Sequence, residues 1–268
     1  MSQVNNKINW FFCLNENRSG AFMDMAKVAV LSSLSYNFNA YCLYDGDNEE
    51  FISFLKEHNV RVILHESSFK EKITEMVEPA AHRTFYGAFL RIDIPLIIKQ
   101  LNLDIDYYLY TDCDVIFTGD PTDFLLRLTP ETIAATGEFN QNDAKMFNSG
   151  VMWCNAANML STYQDFYDFV ISKEFKFVAT DQGALNEFYK HQKIVDEINW
   201  KPYWGINESA YLIHFHGPKP YHFKIYLNER RKLTNPHIKS YGSFLNESNE
   251  EKYKYCVNLY NSFLRQTY

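Results

Sequence analysis

The sequence predicts an α/β fold, a parallel sheet covered by helices on both faces. Three observations carry this. Short aromatic and aliphatic runs alternate with segments whose apolar residues recur at helical spacing, the mark of strands joined by crossover helices. Hydrophobic residues make up 46% of the 268, enough for a sizeable core. Unusual polar residues also fall where the strands end, and open α/β sheets hold their ligands there.

The elements follow in order. A strand over residues 8–14 runs into a polar loop over 15–20. Apolar spacing predicts a helix over 21–36. A strand over 40–44 ends in Asp45-Gly46-Asp47-Asn48, a strong turn signal. A helix over 49–58 leads to a strand over 60–64. The next helix covers 83–100, and Pro95 should kink or restart it, because proline lacks the amide donor. The run Tyr107-Tyr-Leu-Tyr-Thr-Asp112-Cys-Asp114-Val-Ile-Phe117 reads as one buried strand. Gly119-Asp-Pro-Thr122 opens a short helix to residue 128. Strands are expected over 132–136 and 149–154, helices over 156–172 and 181–190, and a short strand over 211–215. Thr180 reads as the N-cap of its helix, with Asp181 in the first turn. After Pro220 the chain turns basic, aromatic and largely helical. No repeat or linker interrupts it, so one domain over 1–220 and a C-terminal extension over 221–268 are expected.

Composition narrows the function classes. The net charge of -7 argues against nucleic acid as a partner. The extension carries eight Lys or Arg against four Glu, so it is +4 and the remainder -11. Five cysteines without short regular spacing fit free thiols in a reducing compartment. Residues 1–9 are polar with no apolar core after them, so no signal peptide is expected. No stretch approaches the length of a membrane span. The expected location is cytoplasmic, with peripheral contact to the inner face of a membrane left open by the basic extension.

Two acids closing an apolar strand need a reason, because an unpaired carboxylate out of water is expensive. Asp112 and Asp114 are two apart, which puts both on one face of a straight strand. Two oxygen ligands there suit a hard divalent cation. Cys113 between them faces the core more readily than the ion. Three further segments stand with these acids: Phe147-Asn148-Ser149-Gly150-Val151, Thr180-Asp181-Gln182-Gly183-Ala-Leu-Asn186, and Leu212-Ile-His214-Phe-His216-Gly217-Pro-Lys219-Pro-Tyr221. Taken singly each is more often structural. A strand ending in His, followed by Gly-Pro and Lys, can supply an imidazole for a metal and an ammonium for a phosphate.

In order and flavour these four segments resemble the family-8 glycosyltransferases, the group of glycogenin and the bacterial lipopolysaccharide galactosyltransferases. The resemblance covers the chain to about Tyr221. It implies a GT-A fold: a Rossmann-like nucleotide-binding central mixed sheet flanked by helices, here with the small helical extension. It implies transfer of a hexose, glucose or galactose, from a UDP-sugar to a glycan or glycolipid acceptor with retention. It also implies Mn²⁺, with Mg²⁺ as the alternative ion, held by Asp112, Asp114 and His214. His216 is the competing imidazole. Lys219 would contact the diphosphate, although it lies five residues after His214 where the family has six. Tyr221 stands where the family usually has Trp.

Carried over in the same way, Cys13, Asn15 and Asn17 resemble the uridine-binding loop, with Asn15 where a carboxylate usually receives the uracil imide. Its amide oxygen can accept the same bond. Arg91 resembles the helix cation that reaches the donor; on its own it would be read as a surface ion pair. Cys113, Glu138, Asn148, Ser149, Asp181, Gln182 and Gly217 complete the implied donor site. Asp181, Gln182 and Arg91 are the catalytic candidates. Retention requires a covalent intermediate or same-face attack with the departing phosphate taking the proton; the second is favoured. An inverting transferase using Asp181 as base, and a nucleotide-sugar-binding module without turnover, are the alternatives.

Overall fold

The computed structural model describes residues 7–16, 20–141, 145–229 and 232–267. The chain runs β1 (Ile8–Asn15), α1 (Gly20–Ser33), β2 (Phe38–Asp45), α2 (Glu49–Glu57), β3 (Arg61–Leu64), α3 (Lys70–Met76), α4 (His82–Phe89), α5 (Ile94–Gln100), β4 (Tyr107–Thr111) and β5 (Val115–Phe117). It continues α6 (Thr122–Leu125), β6 (Ile133–Gly137), β7 (Phe147–Asn155), α7 (Ala156–Ser161), α8 (Tyr163–Ser172), α9 (Thr180–Phe188), β8 (His191–Lys193), β9 (Leu212–His214), α10 (Pro220–Asn228) and α11 (Glu250–Leu264).

Seven strands form one sheet in the order β3-β2-β1-β4-β7-β6-β8, and β5 pairs with β9 in a small second sheet. The first four strands are parallel, as alternation with helices requires. Strand β7 is antiparallel to both of its neighbours, so the sheet is mixed. The near-continuous apolar sequence of β1 follows from burial on both sides. Trp10, Phe12 and Leu14 pack with Ala26, Val30 and Phe51 of α1 and α2. Phe11 and Cys13 face the other way, towards Phe89, Ile97 and Phe166. A third core joins Met25 and Val28 of α1 to Phe223, Tyr226, Tyr253, Cys256 and Tyr260 of α10 and α11. All five cysteines are free and buried, and Cys113 belongs to the core beside β1. Among the described residues no helix is long and apolar enough to cross a membrane.

Several boundaries differ from the sequence expectation. The strand expected across 107–117 is two strands in two sheets, and Asp112, Cys113 and Asp114 form the bend between them. The acids therefore converge through a turn rather than through strand alternation. The helix expected over 83–100 breaks into a 3-10 turn at Leu90–Asp93 before α5 restarts it, with Pro95 in the first turn. Buried Asp93 pins the break: it accepts from His65 Nε2 (2.9 Å), the Ser68 amide (2.8 Å) and hydroxyl (2.6 Å), and the Tyr163 hydroxyl (2.7 Å). Strand β7 begins at Phe147, two residues before the strand expected from 149, so Phe147-Asn-Ser-Gly lies inside it. Thr180 is not the cap of α9. Ala179 precedes the helix, and both residues take left-handed backbone angles (φ 60° and 54°) that non-glycine residues seldom adopt. Helix α3 and strand β8 had no periodic signal long enough to announce them.

Candidate active site

The bend between β4 and β5 meets the end of β9 at the carboxyl side of the sheet. There Asp112, Asp114 and His214 offer ligand atoms that all lie within 4.8 Å of one another. His214 Nε2 is 3.4 Å from Asp114 Oδ1 and 3.8 Å from Asp112 Oδ2. Its Nδ1 lies 2.9 Å from Asn199 Oδ1; with the proton on that nitrogen the Nε2 lone pair faces the acids, the tautomer a metal ligand needs. Asp114 Oδ1 is buried without a hydrogen-bond partner among the described residues. An orphaned buried carboxylate oxygen beside an imidazole nitrogen is costly as it stands and fits a divalent cation with mixed oxygen and nitrogen ligands. His216 does not compete. Strand β9 ends at His214, and His216 turns away to bond Glu138 Oε1 (2.9 Å) and the Tyr203 hydroxyl (2.8 Å).

Two cations flank the acids. Lys219 Nζ bonds Asp114 Oδ2 and the Phe215 carbonyl. Gly217, at φ 81°, makes the turn that brings Lys219 back. Burial pushes the Asp114 carboxyl up, but the Lys219 ammonium outweighs it and holds it well below the usual carboxylate range. Arg91 is 9% exposed, not a surface residue. It reaches Asp112 Oδ1 (2.9 Å), Asp181 Oδ2 (3.1 Å) and the Ser149 carbonyl (2.8 Å), with its guanidinium 4.6 Å from the centre of the Tyr110 ring. Asp181 is raised by burial, which Arg91 only partly offsets.

The remaining polar residues form one network. Gln182 Oε1 accepts from the Ser149 amide (2.9 Å) and Asn148 Nδ2 (3.2 Å). Asn148 Nδ2 also donates to Glu138 Oε2 (2.6 Å). Burial raises the Glu138 carboxyl, but the bonds from His216, Asn148 and Gln182 prevail and bring it to about 2. A bulge in β6 between Ala135 and Gly137 re-aims the chain just before Glu138. Gly183 is required where it stands, because a Cβ would lie 2.0 Å from the Val178 carbonyl.

A cavity of about 120 Å³ opens on this site, lined by Cys13, Asn15, Phe22, Arg91, Asp112 and Lys219 among others. Asn15 is held by a bond from its Nδ2 to Asp45. Asn17 lies outside the described residues. A roomier cavity, about 660 Å³, sits between α1, α10 and α11 and includes none of the metal-binding group, so chemistry rather than size selects the site. Residues 199–204 were missed from sequence: Asn199, Lys201, Tyr203 and Trp204 all border the network. A polar residue and a lysine inside an aromatic run, Asn199-Trp-Lys-Pro-Tyr-Trp204, was the signal available.

No family model and no curated protein matches the sequence. Solved structures do. The galactosyltransferase LgtC, in complex with donor and acceptor sugar analogs, matches at TM-score 0.62 and 15% identity over 95% of this chain and 96% of its own. The fold is GT-A. The glycosyltransferase GlyE of Streptococcus pneumoniae TIGR4 matches at TM-score 0.62 and 20% identity over 97% of this chain. The chain spans 63% of the length of GlyE. Mouse xyloside xylosyltransferase 1 matches at 0.53 and 14% identity over 79% of the chain. The mixed seven-strand sheet with flanking helices is thus the GT-A sheet, and the Asp112/Asp114/His214 group lies at the carboxyl side of it.

Proposed function

We propose that this GT-A chain is a Mn²⁺-dependent, retaining family-8 glycosyltransferase that moves a hexose from a UDP-sugar to a hydroxyl acceptor. The observation that carries this is the group of Asp112, Asp114 and His214, gathered beside a GT-A sheet with Asp114 and His214 buried, Asp112 half-buried, and Arg91 and Lys219 at its sides. When bound, the metal supplies Lewis-acid neutralisation of the diphosphate leaving group. Lys219 and Arg91 add fixed positive charge where negative charge develops as the glycosidic bond breaks. Asn15 reads the uracil edge with Cys13 beside it. Glu138, Asn148, Ser149, Asp181 and Gln182 face the donor hexose, and Gly217 admits the diphosphate beside Lys219.

Asp181 is buried against Arg91, which supports a positioning role over a nucleophilic one, and so supports same-face attack. The acceptor is a glycan or glycolipid. Two aromatics of the extension, Phe223 and Tyr226, are 2% exposed in the third core and so face the protein. Peripheral contact would therefore rest on exposed cations such as Lys224 and Lys232; Arg230 and Arg231 lie outside the described residues.

The test is Mn²⁺-dependent UDP release from a panel of UDP-sugars, with Asp114→Asn and EDTA as controls and the product anomer read by NMR. Release from one sugar, abolished in both controls and giving the retained anomer, supports the proposal. The inverted anomer moves the chain to the inverting class, and UDP binding without turnover on any sugar makes it a binding module.

A further inference from the structure

The tautomer of His214 is not set by its neighbour alone. Asn199, which accepts the Nδ1 proton, is fully buried, and an amide can be turned either way. What turns it is traceable through two more residues. Asn199 Nδ2 donates to Asn148 Oδ1 at 2.9 Å. That oxygen also accepts the Gly150 amide at 3.1 Å, and a backbone N–H can only donate. At its other end Asn148 Nδ2 meets Glu138 Oε2 at 2.6 Å, and an ionised carboxylate can only accept. Every link then has one allowed polarity: Glu138 takes the Asn148 amine, Asn148 offers its carbonyl to Asn199, and Asn199 offers its carbonyl to His214 Nδ1–H.

We propose that Glu138 is a positioning residue that fixes the metal-binding tautomer of His214 through Asn148 and Asn199. Glu138, Asn148, Asn199 and His214 are all 5% exposed or less, so water has little access to reverse a link. Glu138 is itself clamped. Lys201, fully buried, donates to the Gly137 carbonyl at 2.8 Å, and Trp204 Nε1 donates to the Phe139 carbonyl at 2.7 Å. The two residues flanking Glu138 are thus both held by one short segment, with the Lys201 ammonium 4.0 Å from the centre of the Trp204 ring. Burying the Lys201 amine is expensive without such partners. The relay lengthens the second shell of a metal ligand from one residue to three.

The inference rests on His214 being a metal ligand, but its test does not need turnover. ¹⁵N NMR of the imidazoles, with His214 identified by loss of its signals in His214→Gln, reads the tautomer without metal. The wild-type protein should show Nδ1 protonated and Nε2 free. Asn199→Leu should shift His214 towards Nε2–H and weaken Mn²⁺ binding, followed by electron paramagnetic resonance, by about 10- to 100-fold. Glu138→Gln, whose own amide can donate or accept, leaves the Gly150 amide and Gln182 Oε1 as the remaining holds on Asn148 and should give a partial shift towards Nε2–H with a smaller loss. An Nε2–H tautomer in the wild type overturns the proposal, as does a folded Glu138→Gln that keeps both the tautomer and the Mn²⁺ affinity. Failure of UDP release with the tautomer and its Mn²⁺ dependence intact would count against the transferase reading alone.

Discussion

Arg91 gathers groups from three distant parts of the chain, Asp112, Ser149 and Asp181, around one guanidinium. Its planar fork is what allows this; a lysine could serve one of them at a time. Removing it leaves two carboxylates, one of them buried, without their cation. Breaking a buried pair from one side costs about 3–5 kcal/mol. Arg91→Met should therefore lower the unfolding free energy measured in urea by an amount in that range, and Arg91→Lys should recover only part of it. A variant as stable as the wild type would mean that the pairs contribute nothing to the fold. The same residue shows why burial matters for inference, since an isolated arginine on a helical segment is by default a solvent-facing ion pair.

Two elements hold the ligands in place by close contact. Strand β7 passes so near His214 that a Cβ at Gly150 would lie 2.2 Å from the imidazole Cε1 and 3.0 Å from Asn148 Oδ1. Gly150→Ala should displace His214, cost about 1–3 kcal/mol, and weaken Mn²⁺ binding. Unchanged affinity by calorimetry would show that β7 yields instead. Helix α10 sets Lys219 through its first turn, where the Lys219 amide donates to His222 Nδ1 at 2.9 Å. Burial, then Lys219 and His237, lower the His222 pKa from its ordinary 6.5 to about 4. The unfolded chain then binds more protons between those values, so stability from this residue is present above about pH 6.5 and lost as pH falls towards 4. The stability gap between the wild type and His222→Gln, measured by urea unfolding, should narrow from pH 7.5 to pH 4.5. A constant gap would rule out the titration as its source.

For the whole molecule, the site joins the two halves of the sheet and the C-terminal helices. Its ligands come from the β4–β5 bend and β9, its cations from the turn before α5 and the start of α10, and its relay from β6, β7 and residue 199. A ligand that binds only the folded state stabilises it by mass action, about 2.7 kcal/mol at a hundredfold excess over Kd. For a chain of this size, Mn²⁺ with UDP should raise Tm by roughly 5–10 °C. Neither should do so alone to the same extent, and Asp114→Asn should abolish the effect. An equal rise with UDP and EDTA would place nucleotide binding elsewhere.

Local pattern was enough to determine the alternation of strands and helices, the free buried cysteines and the pair of acids closing a hydrophobic run, because periodicity and composition are properties of neighbouring residues. The four motifs together pointed to the GT-A sheet. They could not say that the strand carrying Asp112 and Asp114 breaks between two sheets, since that bend exists only because Val115 to Phe117 pairs with a strand almost a hundred residues later. They ranked His214 above His216 by resemblance alone; what separates the two is where β9 stops. Arg91 looked like a surface residue, and Asn199 and Lys201 carried no motif at all. Their roles depend on what tertiary packing brings beside them. Sequence places chemistry along a line; which carboxylate is buried, which amide is turned and which imidazole nitrogen carries the proton are decided by contacts between residues 15 to 90 positions apart.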